Sequence, residues 1–316
     1  MPATNALVTG ASGFIGVHLV ARLLKEGSRV TVLARPSSIF PDEWGARVNV
    51  VTLDHLGEDE LRRQIRPPVD TVFHLAAYGV RPNLRDIGEM MAVNVNLPTA
   101  LIRLCAEWRA RMIMAGTFSE YRSPATQDLL TETSPLEQNK LYGSSKAAGG
   151  LMASAIANSE GVGFRLLRLF KVYGAGEAPH RLLPALVSGL AKGERVPISA
   201  GTQILDFVYV EDVVEAMLRA DAHCCEKSGT ATWNVATGRA HSVREFAERV
   251  AAAMKADASL LGFGAINMRK DDEPWLVGSP DLLRSELDWQ PSIGLDHGVQ
   301  ASVARILDAQ SKDSAA

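Results

Sequence analysis

The chain has 316 residues, 47% of them hydrophobic and 22% charged, with a formal net charge of −3. This ordinary globular balance excludes a disordered chain, a collagen-like fibre and a disulfide scaffold. The absence of a long basic run argues against a nucleic-acid surface, and no apolar stretch approaches the roughly 18 residues of a membrane span. Residues 1–9 lack the basic start and long apolar core of a secretory signal. The cysteines Cys105, Cys224 and Cys225, odd in number and two of them adjacent, read as free thiols of a reducing, cytoplasmic compartment.

In chain order, Ala6–Thr9, Val30–Leu33, Val48–Leu53, Thr71–Leu75, Met112–Ala115 and Arg165–Leu169 are short apolar or β-branched runs expected to be buried strands. Phe14–Lys25, Gly88–Trp108 and Leu141–Asn158 carry helical apolar spacing between them. Strand alternating with helix predicts an α/β fold, a Rossmann-type doubly wound parallel sheet with helices on both faces. From Tyr173 the rhythm changes. Helices are expected near Leu182–Lys192, Val213–Asp221 and Val243–Met254, and Ile204–Val210 reads as a strand that could return to the sheet. The expected division is a dinucleotide-binding domain over 1–172 and about 204–235, and a smaller substrate lobe over about 173–203 and 236–310. A polar tail, 311–316, is expected to fray.

Directly after the first strand stands Gly10-Ala11-Ser12-Gly13-Phe14-Ile15-Gly16, running into a helix. The first glycine permits the tight turn, the second lets backbone approach a pyrophosphate, and the third lets helix and strand pack closely. The helix N-terminus adds N–H donors and positive potential. Dinucleotide binding is the reading; a glycine-rich turn without a ligand is the rival. The second strand of such a unit normally ends in a carboxylate that holds the adenosine ribose. Here it ends in Leu33-Ala34-Arg35-Pro36-Ser37-Ser38. Nothing there repels a 2′-phosphate, and Arg35 and Ser37 could bind one. NADP(H) is therefore favoured, with NAD(H) possible.

Tyr142 and Lys146 lie four residues apart, one turn apart on one face of a helix. A phenol with a nearby cation suits proton exchange with a sugar or alcohol oxygen. The pair is weak by itself and gains weight from the glycine turn upstream.

With these features, the chain resembles the extended short-chain dehydrogenase/reductase family, the NAD(P)-dependent nucleotide-sugar epimerases, dehydratases and reductases. The resemblance covers nearly the whole length. It includes Asp54 after the third strand, His74-Leu75-Ala76-Ala77, Asn94 and Thr117 four residues before Tyr121. It continues through Leu167–Gly174, Asp206–Asp212, Trp233–Gly238 and Leu287–Pro291. The resemblance implies that Thr117 hydrogen-bonds the substrate oxygen, Tyr142 exchanges its proton, and Lys146 grips the nicotinamide ribose and lowers the tyrosine pKa. It places Gly10, Ser12, Gly13, Phe14, Ile15, Gly16, Asp54, His55, Leu75, Ala76, Ala77 and Asn94 along the cofactor, and Tyr78, Thr117 and Phe118 at the substrate. It also implies a homodimer paired through the helices of 88–108 and 141–158.

The departures bear on the substrate. Sugar dehydratases of this family carry an acid one or two positions after the threonine. Here Phe118 and Ser119 stand there, and Glu120 comes one place later. Lys171 replaces the usual asparagine at the substrate diphosphate, Leu205 replaces an arginine, and Arg269 remains as a phosphate candidate. The pattern looks most like bacterial reductases of nucleotide-linked 4-keto-6-deoxyhexoses. The expected activity is thus NADP(H)-dependent hydride transfer to a sugar carbonyl with Tyr142 as proton donor. An NAD-dependent 4-epimerase is the alternative, and a non-catalytic dinucleotide sensor a distant one. No metal site is expected: His223-Cys224-Cys225 is contiguous on a helix, where successive side chains diverge.

Overall fold

The computed structural model describes residues 4–53, 55–81, 83–268 and 273–313, with backbone only for 312–313. Six strands follow the sequence pattern closely: β1 (Asn5–Thr9), β2 (Arg29–Ala34), β3 (Val48–Thr52), β4 (Thr71–His74), β5 (Arg111–Thr117) and β6 (Phe164–Leu169). They pair in parallel in the order β6-β5-β4-β1-β2-β3, with Thr230–Val235 added in parallel outside β6. Alternate side chains of each strand feed two cores. One lies under the helices Phe14–Lys25 and Val210–Glu226, and the other under Leu97–Trp108 and Leu141–Glu160. The sheet is the expected doubly wound Rossmann type.

A third core, built from Tyr173, Leu186, Phe207, Tyr209, Phe246, Val250 and Val303 among others, forms the smaller C-terminal lobe. Its chain path is interrupted. After β6, Lys171–Tyr173 pairs with Phe207–Tyr209, and the helix Leu182–Ala191 lies between them in sequence. The chain then returns to the sheet edge through Val210–Glu226 and Thr230–Val235, and leaves again.

The expectation that Ile204–Val210 returns to the main sheet is not met. The segment breaks at Asp206 into Ile204–Leu205, paired with His241–Ser242 and Trp275–Leu276, and Phe207–Tyr209. The break has a cause. The buried Asp206 carboxyl accepts the Thr237 N–H (2.9 Å) and hydroxyl (2.6 Å), the Gly238 N–H (2.9 Å) and the Gly278 N–H (3.4 Å). The C-terminal helix Leu295–Asp313 continues past the expected end of order at residue 310, and residues 314–316 lie outside the described residues. Gly88–Trp108 is not one α-helix. Asp86 caps Ile87–Met91 by accepting the Glu89 N–H, a π-helical turn covers Ala92–Asn96, and Leu97–Trp108 resumes with Pro98 in its first turn. Among the described residues, no helix is long and apolar enough to cross a membrane.

Candidate active site

Strand order reverses between β1 and β4, where Thr9 stands opposite His74. Such a switch point opens a crevice at the carboxyl ends of the strands. The glycine turn lies there. Gly10 has φ +70°, and a Cβ on it would lie 2.7 Å from the backbone of Leu75 and Ala76. A Cβ on Gly16 would lie 2.2 Å from the Gly10 carbonyl oxygen. The turn is thus pressed against the end of β4 and against its own helix, as a pyrophosphate cradle requires. Ser12 and Gly13 are exposed at its tip, and the helix Phe14–Lys25 begins at Gly13 without a side-chain cap. These features fit a dinucleotide phosphate. Thr9 ties the crevice together: its hydroxyl accepts the Ala76 N–H (3.2 Å) and lies 2.8 Å from His74 Nδ1. Burial, with Lys146 nearby, holds the His74 imidazole well below its ordinary pKa and therefore neutral.

Asn94 is fully buried, and its amide is engaged within the chain. Oδ1 accepts the Tyr78 N–H, while Nδ2 donates to the Tyr78 carbonyl and to Ser145 Oγ, each at 2.9 Å. Where the family resemblance places Asn94 along the cofactor, its amide here clamps the backbone of Tyr78. The π-helical turn delivers Asn94 against the Leu141–Glu160 helix, where a Cβ on Gly149 would lie 1.9 Å from the Asn94 carbonyl oxygen. At the start of that helix a Cβ on Gly143 would lie 2.0 Å from the Ser119 carbonyl oxygen. That close approach sets Tyr142 beside the Thr117 turn.

Thr117 ends β5 and caps the short helical turn Phe118–Glu120, its hydroxyl accepting the Ser119 N–H at 3.2 Å. The same hydroxyl is near enough to the Tyr142 phenol to pull its pKa down. Lys146, one turn further along the helix, is buried and donates from Nζ to the Ala115 carbonyl at 2.9 Å. Burial lowers the Lys146 pKa, with Glu120 opposing. Tyr142 shifts the other way from the resemblance. Burial, then the Glu120 charge, pushes the phenol above its ordinary value, against Arg181 and the Thr117 hydroxyl. Arg181 is a cation pulling the phenol down, and Lys146 donates to the β5 backbone.

Lys171 is half-buried and pulls down the Glu177 carboxyl, which burial pushes up; Arg181 and the Gly174 N–H act in the same sense as Lys171. Glu177 thus has two cations near it, Lys171 and Arg181, the second a residue that no sequence spacing singles out. Phe118 packs near Phe170, with ring centroids 6.1 Å apart. Arg35 and Ser37 are exposed past β2, where the Arg35 N–H donates to Ser38 Oγ (3.1 Å) in a turn. His55 is exposed past β3. Asp54 and Arg269 lie outside the described residues. Glu120, too late in sequence for dehydratase chemistry, and Arg168, inside a longer apolar run, are both buried beside the site. Only the packing of β5 on β6 brings them together.

Residues 6–236 match the model of the NAD dependent epimerase/dehydratase family. The dTDP-glucose 4,6-dehydratase of Streptomyces griseus is 29% identical over 315 aligned residues, covering 95% of this chain and 93% of that protein. The CDP-abequose synthase of Salmonella typhimurium is 27% identical, covering 95% and 97%. The fold matches the crystal structure of Thermotoga maritima UDP-glucose 4-epimerase with UDP-glucose, with a TM-score of 0.87 at 25% identity over 97% of this chain and 99% of that one. The crevice at the switch point, the glycine cradle and the Thr117/Tyr142/Lys146 cluster thus sit in a chain that belongs to the NAD dependent epimerase/dehydratase family, the extended short-chain dehydrogenase/reductase enzymes.

Proposed function

We propose that this enzyme reduces the keto group of a nucleotide-linked 4-keto-6-deoxy sugar, using NADPH. The observation that carries this reading is the close approach of Gly143 to the Ser119 carbonyl, which sets the Tyr142 phenol beside the Thr117 turn. A neutral phenol beside a hydroxyl can give a proton to a carbonyl oxygen as that oxygen gains charge. Thr117 polarises the carbonyl and Tyr142 donates. When bound, the nicotinamide supplies the hydride. Lys146 uses one of its three N–H donors on Ala115, so its ammonium can also hold ribose hydroxyls. The glycine cradle holds the pyrophosphate, and Ala76, Ala77 and Ile15 line its path. Lys171 and Arg181 face the substrate phosphates in place of the family's asparagine and arginine. Phe118 puts an aromatic ring where dehydratases carry an acid, which supports reduction over dehydration.

Arg35 and Ser37 would take the 2′-phosphate. Arg35→Asp is expected to lower kcat/KM with NADPH at least tenfold, about 1.4 kcal/mol, and to leave NADH use unchanged or improved. Steady-state oxidation of the two cofactors measures this. Mass spectrometry of small molecules released on denaturation decides the wider question. Exchangeable NADP(H) supports the reductase. Stoichiometric NAD⁺ points instead to a 4-epimerase that keeps its cofactor through the cycle, the activity named for the Thermotoga maritima relative.

Two copies would pair through the helical segments of 87–108 and 141–160. Ile87, Met91, Leu141, Leu151 and Met152 are large apolar side chains left exposed there. Sedimentation at micromolar concentration is expected to give a dimer, and Leu151→Glu with Met152→Glu a monomer. A monomeric parent chain removes this reading. The free thiols, Cys105 and Cys224 buried and Cys225 exposed, suit a reducing compartment.

A further inference from the structure

Glu120 is fully buried directly behind the reacting side chains. Its Oε1 accepts the Thr117 N–H at 2.9 Å, and its Oε2 accepts Arg168 Nε at 2.8 Å. The carboxylate lies so close to β5 that a Cβ on Gly116 would come within 2.6 Å of Oε1. Arg168 is anchored in turn. Its Nη1 donates to the Tyr121 hydroxyl (2.9 Å) and the Glu132 carbonyl (3.2 Å), and its guanidinium lies 4.7 Å from the centre of the Tyr121 ring. The Tyr121 hydroxyl donates to Asn234 Oδ1 at 2.6 Å, and the Asn234 N–H donates to Glu132 Oε1 at 2.7 Å. The network runs from the end of β5 across β6 to the edge strand. Buried ion pairs rarely add net stability, because desolvation offsets their attraction. This one is therefore better explained by what it does at its open end, where Glu120 meets Thr117.

We propose that Glu120, pinned by Arg168, is the positioning residue of the proton-transfer centre. It fixes Thr117 from the backbone side through the Thr117 N–H, and sets the carboxylate of its Arg168 ion pair behind the Thr117 turn that Tyr142 faces. The proposal rests on the reading of Tyr142 given above. Among the described residues, the charged and titratable groups that face this centre are Glu120 from the β5 turn, Lys146 on the Tyr142 helix, and Arg181 from the segment after Gly174, with Glu177 near Arg181. Behind them stand Arg168 and Glu132, with His74 under Lys146 and Glu137 packed against Gly143. Of these, Glu120 is the negative charge that acts on Tyr142, and it opposes loss of the phenolic proton.

Two variants separate charge from geometry. Glu120→Gln keeps an acceptor for the Thr117 N–H and removes the charge. Glu120→Asp keeps the charge and the Arg168 pair but draws the carboxylate back by one methylene. In the glutamine variant the alkaline limb of the kcat–pH profile is expected to move down by about one pH unit, with KM for NADPH unchanged. In the aspartate variant kcat is expected to fall about tenfold with the limb unmoved. Tyrosinate absorbance, taken as each chain minus the same chain carrying Tyr142→Phe, follows the phenol without any substrate and should show the same displacement for Glu120→Gln. A limb and a spectral titration unmoved in Glu120→Gln overturn the proposal. So does a Glu120→Asp chain with parental kcat, the decisive reading should the glutamine variant not fold. Should Tyr142→Phe keep its turnover, the functional reading fails, and the spectral titration still reports whether Glu120 acts on the phenol.

Discussion

Tyr142→Phe is expected to lower turnover about a thousandfold while NADPH binding stays within twofold of the parent chain. Proton donation by a positioned group contributes roughly 10²–10⁴ in rate, and among the described residues at this point no other hydroxyl has the phenol's acidity. Thr117 carries an alcohol, which yields its proton far less readily, and Lys146 is turned onto the Ala115 carbonyl. Phenylalanine keeps the ring, so the contact with the Gly79 backbone turn and the start of the Leu141–Glu160 helix persist. The glycine cradle and Lys146, which would hold the cofactor, are untouched. Steady-state NADPH oxidation gives the turnover, and fluorescence titration gives the affinity. A phenylalanine variant with a tenth of the parental kcat would remove Tyr142 from the role of proton donor.

Asp206→Ala should be the most damaging single truncation for stability, costing about 3–5 kcal/mol and lowering Tm by roughly 10 °C. One carboxyl gathers three backbone N–H groups and a hydroxyl from two separate segments, and all lose their acceptor together. The backbone of Asp206 also bonds the Lys171 N–H and the Leu276 carbonyl, so the lobe strands loosen with it. Asp206→Asn isolates the charge. Burial, against its four donors, pushes this carboxyl up to about 6 from an ordinary 3.8. Between those values the folded chain holds a proton that the unfolded chain has released. The contribution of Asp206 is therefore greatest below pH 4 and is lost as pH rises through 6. Thermal melts from pH 4 to 7 should show this slope in the parent chain and not in Asp206→Asn.

The parallel sheet was legible in the sequence because each strand from β1 to β6 is a short apolar run flanked by turn residues, a local signal that needs no partner. Thr230–Val235 is not legible as the seventh strand because Thr230, Thr232 and Asn234 interrupt its apolar character; the pairing with β6 decides it. Ile204–Val210 misled for the opposite reason. Its apolar residues look like one strand, and only the distant donors at Thr237, Gly238 and Gly278 show that Asp206 breaks it. At the site, Thr117, Tyr142 and Lys146 were visible as spacing, but the sign of the tyrosine shift was not. That sign depends first on burial and then on Glu120, which approaches from a different strand end, with Arg181 from a different loop opposing it. Asn94 is visible through the family resemblance, and its partner, the backbone of Tyr78, has no side-chain signature.

The interrupted chain path has a consequence for how this enzyme can be altered. The part that would recognise the sugar is laid down in two instalments, before and after the chain revisits the sheet edge at Thr230–Val235. It is therefore not a cassette. Cutting after residue 172 would strip β6 of its outer neighbour and leave an unpaired apolar edge, a template for aggregation. Grafting another recognition half onto this scaffold would need several simultaneous splices in register. On the function proposed above, new sugar preferences would be more accessible through point changes at Phe118, Lys171 and Arg181 than through recombination of whole segments.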